Sequence, residues 1–224
     1  MQHPIQIYSN FIRNKIIAAE ILLRTETDRT NVSPMEIFDK KTRGRESGSN
    51  FRLSIIDRTD NTKKAESISI TLDPLVLPSI KRRLDSFDQA LFGATSGTGR
   101  HLPDEVQVFS SEACPVSVAD AKDGRVRAAW LNVTYRFYDD LPWCIEIGTG
   151  TAAESPEING FVVPGSFLLQ KTNKISLMEY ELPKIIDLAY EHYTAFITAE
   201  SRKLAKRASD EMAGMAAQAN QAGT

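Results

Sequence analysis

Apolar and polar residues alternate in short blocks along most of this chain, and two longer stripes at three-to-four spacing interrupt the rhythm. Phe51, Leu53 and Ile55 interleave with Arg52, Ser54 and Ile56, the pattern of a half-buried strand. After a polar turn over 57–66 that contains Asp60-Asn61, Ile68, Ile70 and Leu72 interleave with Ser67, Ser69 and Thr71, which makes the pair a hairpin. Upstream, Ile17, Ala19, Ile21 and Leu23 share one parity within 15–25 and favour a strand. The same stretch also lines Ile12, Ile16, Ala19 and Leu23 along one helical face. Residues 34–39 are a candidate second strand, and 40–50, rich in Gly, Ser and charge, read as an exposed loop.

Asp73-Pro74 then opens a helix, because an Asp at the cap accepts from free amides and Pro in the first turn loses no hydrogen bond. Leu77, Ile80, Leu84, Phe87 and Leu91 form its apolar stripe; Gly93 is expected to end it, and Gly97, Gly99 and Pro103 mark a linker. The second half repeats the order. Val106 and Val108 begin a short strand, and a long one spans 127–138 with Ala129, Leu131, Val133, Tyr135 and Phe137 on one face. A turn at 139–142 leads to Trp143, Ile145 and Ile147; residues 148–160 read as a long flexible loop. Phe167-Leu168-Leu169, a polar break at 170–174, and Ile175 with Leu177 supply the last strand or hairpin. A long helix closes the chain, with Leu182, Ile185, Ile186, Ala189, Tyr193, Phe196 and Ile197 on its apolar side and Arg202, Lys203, Lys206 and Arg207 at its end. From 208 onward no usable stripe remains, and frayed helix or a flexible tail is expected.

The two strand-to-helix junctions match one another. Ile68-Ser69-Ile70, Leu77-Pro78-Ser79-Ile80 and Leu84 align with Ile175-Ser176-Leu177, Leu182-Pro183-Lys184-Ile185 and Ala189, given a two-residue gap. The fold class expected is therefore α+β: two tandem four-strand-plus-helix repeats whose antiparallel sheets are packed by two helices as one domain. The repeats would span 1–93 and 106–207, with 94–105 as linker and 208–224 as tail.

An Ile-Ser-Ile strand, a proline-bearing turn, and an amphipathic helix carrying Lys81, Arg82 and Arg83 that ends in Asp85-Ser86-Phe87-Asp88-Gln89-Ala90 is similar to the C-terminal stretch of the transcriptional-coactivator family that binds single-stranded DNA. Those proteins dimerise a single unit, whereas the related Whirly family carries it twice in one chain. The resemblance covers most of 11–203 as topology and only the two junctions as sequence. It implies a Whirly-like fold, a homo-oligomer, and binding of single-stranded DNA or RNA with little sequence preference and no cofactor. The Lys-Gly-Lys-rich strand of plant Whirly proteins has no clear counterpart; Lys15 stands nearest its place.

The residues themselves offer a surface of that kind. Opposite the apolar side of the 127–138 strand lie Trp130, Asn132, Thr134, Arg136 and Tyr138, combining stacking faces, a cation and hydrogen-bonding groups. Between 40 and 64 stand Lys40, Lys41, Arg43, Arg45, Arg52, Arg58, Lys63 and Lys64 against three acids, a local charge of +5 on a chain whose net charge is −2. Such a field attracts polyanions locally. Lys40, Lys41, Arg43, Arg45, Arg52, Arg58, Lys63, Lys64, Trp130, Asn132, Arg136 and Tyr138 are the candidate contact residues. The bland readings are that the charges solvate loops and that Trp130 and Tyr138 are covered by a loop or a second subunit.

Other chemistry finds little support. His3, His101 and His192 stand far apart and without ligand-spaced partners, so no metal site is expected. The glycine-rich stretch 93–99 follows a helix and lacks the Gly-Lys-Ser/Thr ending of a phosphate loop. Asp139-Asp140 and the Asp57/Asp60 pair fall in turns, where Asp is commonplace, and no nucleophile elbow occurs, so no enzyme is expected. The start of the chain lacks a secretory pattern, and Cys114 and Cys144 are expected as reduced thiols in a cytoplasmic protein. No apolar run approaches membrane-spanning length. The competing reading is a structural protein that uses the aromatic sheet face as an assembly interface; a small-molecule enzyme on an unrelated α+β fold is the third.

Overall fold

The computed structural model describes residues 4–23, 49–58, 65–96, 102–111, 113–122, 124–157 and 162–222. The first sheet is a meander of β1 (Ile5–Ile12), β2 (Lys15–Leu22), β3 (Asn50–Asp57) and β4 (Glu66–Leu72), each antiparallel to the next. A 3-10 turn over Pro74–Val76 follows, and then α1 (Leu77–Ser96). The second sheet holds β5 (Glu105–Ser110), β6 (Cys114–Lys122), β7 (Arg125–Arg136), β8 (Trp143–Ala153) and β9 (Leu168–Leu177), and α2 (Glu181–Ala222) closes the chain.

β5 pairs with the Asn132–Arg136 end of β7 and β6 with its Arg125–Ala129 end, while β8 takes the other edge. The two short strands thus occupy one strand position, interrupted at Ser111. That residue keeps the ladder closed: its amide donates to the Leu131 carbonyl and its hydroxyl accepts from the Leu131 amide, at 2.8 and 2.9 Å. Each half of the chain is therefore a four-position antiparallel sheet followed by a helix, as the repeated junctions imply.

Those junctions occupy equivalent places. Ile68 and Ile70, like Ile175 and Leu177, are buried at the end of the last strand; Leu77 and Ile80, like Leu182 and Ile185, are buried in the first turns of the helix. The two-residue gap is taken up where β4 runs on to Leu72 and the 3-10 turn begins. Asp73 accepts from the Leu75 amide at 2.9 Å, so the expected cap opens the 3-10 turn and not α1 itself.

Apolar residues line up across the strands as register partners. Ile17, Ile55 and Ile68 form one row, Ala19, Leu53 and Ile70 the next, and Ile21, Phe51 and Leu72 the third. In the second sheet Val133, Ile145 and Ile175 form a row beside Tyr135, Trp143 and Leu177. All are buried, and each large side chain contributes about 1.5–3 kcal/mol relative to exposure. Polar ties join the halves: Lys81 of α1 bonds Asp187 of α2 at 2.7 Å, and Lys171 of β9 pairs with Glu66 of β4 at 2.5 Å.

Several expectations need correction. β1, absent from the sequence reading, supplies the first strand; the 34–39 candidate lies outside the described residues. Residues 15–22 are strand, which settles the helical alternative. β8 runs through the expected loop to Ala153, because Gly148 and Gly150 make room for neighbours and do not turn the chain. β9 is continuous across 170–174; Gln170, Lys171, Thr172 and Lys174 face water from an edge strand, while the buried Asn173 accepts from Lys15. α1 passes Gly93 to Ser96, an affordable cost of about 1 kcal/mol. β7 ends at Arg136, so Tyr138 stands in the following turn.

Residues 1–190 form one compact unit and 191–224 another. Burial on α2 ends with Ala189; in the second unit Tyr193 and Phe196 are intermediate, and Ile197, Leu204 and Met212 are exposed. No helix among the described residues is long and apolar enough to cross a membrane. Cys114 of β6 and Cys144 of β8 form no disulfide; they flank opposite sides of β7, across from Ala129 and Thr134 respectively.

Candidate nucleic-acid interface

Alternation along β7 buries Ala129, Leu131, Val133 and Tyr135 and turns Trp130, Asn132, Thr134 and Arg136 to the outer face, where all four are half-buried. The register places Trp130 beside Gly148 and Thr172, and Asn132 beside Glu146 and Lys174. Glycine at 148 is what lets the indole lie down. A Cβ there would collide with the Trp130 Nε1, stand 2.6 Å from its Cε2 and 2.8 Å from Leu169 Cδ1. The ring therefore fills the space of the missing side chain and rests against Leu169, itself 52% exposed.

Around this platform the polar groups are positioned by one another. Gln107 of β5 donates to the Asn132 Oδ1 at 2.7 Å, and the Thr172 hydroxyl donates to Glu146 at 2.9 Å. Arg136 stands 3.5 Å from both Glu105 and Asp139, so its charge is partly matched. Tyr138, 67% exposed, donates to the Leu102 carbonyl at 3.2 Å from its turn, off the strand face.

Of the basic candidates, Lys40, Lys41, Arg43, Arg45, Lys63 and Lys64 lie outside the described residues. Arg52 is exposed on the outer face of the first sheet, between its register partners Glu20 and Thr71, and donates to the Ser69 hydroxyl at 3.1 Å. It belongs to a different sheet from Trp130. Arg58 is exposed just beyond β3, where its amide donates to the Asn14 carbonyl at 2.8 Å.

That contact leads to a basic hollow which the sequence reading missed. A cavity of about 310 Å³ is lined by Arg13 and Asn14 of the β1–β2 turn, by Lys15 at the start of β2 and by Lys174 and Ser176 of β9, with Ile12, Leu141 and Ile175 as apolar walls. Arg13 adopts φ +56°, a left-handed conformation that is uncommon outside glycine and costs of order 1 kcal/mol. Lys15 is already engaged: its Nζ donates to the Asn173 Oδ1 at 2.6 Å and the Lys174 carbonyl at 3.0 Å, and lies 3.4 Å from Asp57. Lys174 is exposed and sits in the same cross-strand row as Asn132. The row thus runs from the Asn132 side of the platform to the rim of the hollow. Adjacent strands are about 4.8 Å apart, so the two ends are separated by roughly 10 Å.

Among the described residues no group of His, Cys, Asp or Glu is arranged to hold a metal ion.

No family model matches the chain, and no curated protein is similar to it. Solved structures are similar to it over most of its length, among them two plant proteins. One is the plant transcriptional regulator PBF-2, with a TM-score of 0.45 and 10% identity over 92% of this chain and 88% of that one. The other is WHY1 from Arabidopsis thaliana, with a TM-score of 0.41 and 8% identity over 89% of this chain and 93% of that one.

Proposed function

We propose that the protein binds single-stranded DNA or RNA on the outer face of its second sheet, with little sequence preference, in transactions such as transcription regulation, replication or recombination. The observation that carries this reading is the Trp130 indole laid over Gly148, with Asn132 in the next cross-strand row and that row leading to Lys174 and Arg13. A base stacked on one aromatic gains about 1–3 kcal/mol without regard to its identity. Each phosphate neutralised on a single strand adds about 0.7 to the slope of log affinity against log salt. Arg13, Lys174 and Arg58 provide such contacts, and the basic residues at 40–45 and 63–64 precede and follow β3 in the chain. Glu146 opposes phosphates locally, so the backbone is expected to run along the Lys174 side.

Exposed Leu169, near the Trp130 ring, and its exposed chain neighbour Leu168 favour a second reading, in which this face is a contact between copies of the chain. Titration of labelled single-stranded oligonucleotides at about 50 and 200 mM salt tests the first reading, with salt-sensitive binding expected. Absence of binding at the lower salt removes it. A mass measurement in which Trp130→Ala dissociates an oligomer would favour the second.

A further inference from the structure

A second cavity, of about 570 Å³, is built from chemistry opposite to that of the basic hollow. Its walls include Tyr135, Phe137 and Trp143 from β7, the following turn and β8, with Tyr180, Glu179 and Asp88 beside them and Leu91, Leu102 and Pro183 as aliphatic lining. The rings stand nearly at right angles. Tyr135 and Trp143 have centroids 4.9 Å apart at 79°, and Tyr135 and Phe137 are 5.3 Å apart at 74°. Trp143 is 1% exposed and forms the deep end, whereas Tyr180 is exposed at the opening. The Trp143 Nε1 donates to the Glu179 carbonyl at 2.8 Å, which fixes that residue beside the rings.

Both acids are exposed, and among the described residues neither Asp88 nor Glu179 makes an ion pair. Although Asp88 is exposed as a residue, partial desolvation of its carboxyl beside the cavity, with the negative charges of Asp85, Glu179 and Asp187, pushes it up, against a smaller opposing effect of Lys81. Burial and the charges of Glu179 and Asp88 likewise push the Tyr135 phenol up. The hollow is therefore a place of negative potential walled by electron-rich rings. Phosphates are repelled from it, which separates it from the nucleic-acid face. What both features attract is a positive charge with an apolar body, held over aromatic faces and near carboxylates.

We infer that this cavity is a binding site for an organic cation, an alkylammonium or methylated ammonium group lodged between Phe137 and Tyr180, over the buried Tyr135 and Trp143 that form its floor, with Asp88 and Glu179 as counter-charges. Such a group is carried by a free small molecule or by a lysine side chain of another protein, and the chemistry recognised is the same.

Calorimetric titration of the full-length protein tests it with choline, with its neutral isostere 3,3-dimethylbutanol, and with a short lysine peptide in free and trimethylated forms. The cations are expected to bind at least about tenfold more tightly than the neutral isostere, the margin of a desolvated cation–π contact. Tighter binding of choline assigns the site to small molecules, and tighter binding of either peptide assigns it to a protein side chain. Asp88→Asn with Glu179→Gln is expected to cut cation affinity about tenfold while leaving the isostere unchanged. Equal binding of choline and its isostere to the unmodified protein overturns the inference, as does the absence of any cation binding. Full cation affinity in the folded double variant overturns it too.

Discussion

Removing the Trp130 indole is the sharpest perturbation of the proposed face. Trp130→Ala deletes a ring whose inner side is packed over Gly148 and Leu169 and which is half-exposed to solvent. Its contribution to folding is modest, because a half-buried ring on an outer face forfeits about 1 kcal/mol of apolar burial. Its contribution to binding, if one base stacks there, is about 1–3 kcal/mol, a factor of about 5 to 140 in Kd. The indole carries no charge, so the dependence on salt should be unchanged. Gly148→Ala is the companion test: it keeps the indole but places a methyl group where the ring lies, and an intermediate loss is expected. Fluorescence anisotropy with a labelled oligonucleotide, over a salt series and alongside thermal melting, reads all three quantities. The reasoning fails if Trp130→Ala, still folded, binds within about twofold of the unmodified protein. It also fails if the loss is accompanied by a flatter salt slope, which would mean that the substitution disturbed phosphate contacts instead.

Arg13→Ala combined with Lys174→Ala should weaken binding similarly across sequences and lower the salt slope by about 1.4 for two phosphate contacts on a single strand, measured in the same salt series. Gly150→Ala should destabilise the fold by about 1–3 kcal/mol, since the new Cβ would strike the Leu168 carbonyl oxygen and stand 2.9 Å from its carbon, and neither is free to rotate away; an unchanged urea midpoint would contradict this. Burial and the Glu181 carboxylate that accepts from its hydroxyl at 2.8 Å push the Tyr8 phenol up to about 12. The folded state therefore favours the neutral phenol, and the stability it contributes is complete below about pH 10 and is lost as pH rises from there towards 12. Tyr8→Phe should lack this particular loss, so its stability difference from the unmodified protein should shrink across that window; a difference independent of pH would refute the linkage.

Much of the fold was legible because burial follows parity. The Phe51 and Ile68 series fell on the inner face as read, as did Ala129 to Tyr135, whereas Phe137 lies past the end of β7; Leu77-Pro78 and Leu182-Pro183 mark equivalent helix starts. β1 was missed because polar Gln6, Tyr8, Ser9 and Asn10 interrupt its apolar pattern, and the partner of Tyr8 and Asn10 is Glu181, more than 170 residues away and 1% exposed. Local pattern carries no trace of such a pairing. Gly148 and Gly150 misled for a related reason: in isolation they resemble loop residues, and only the register shows what fills the space above them. On the candidate site, parity alone exposed Trp130, Asn132 and Arg136. The convergence of Arg13 with Lys174 depends on β1–β2 meeting β9 and was not visible along the chain. Arg52, grouped with Trp130 by composition, is separated from it by the division into two sheets.

Photocrosslinking gives the most direct test of where single strands sit. A single-stranded oligonucleotide carrying 5-iododeoxyuridine, irradiated in complex with the protein and digested for mass spectrometry, should mark the β7 peptide at Trp130, and Trp130→Phe should abolish or move that mark. Crosslinks confined to the first sheet or to α2, with β7 unmarked, would contradict the account.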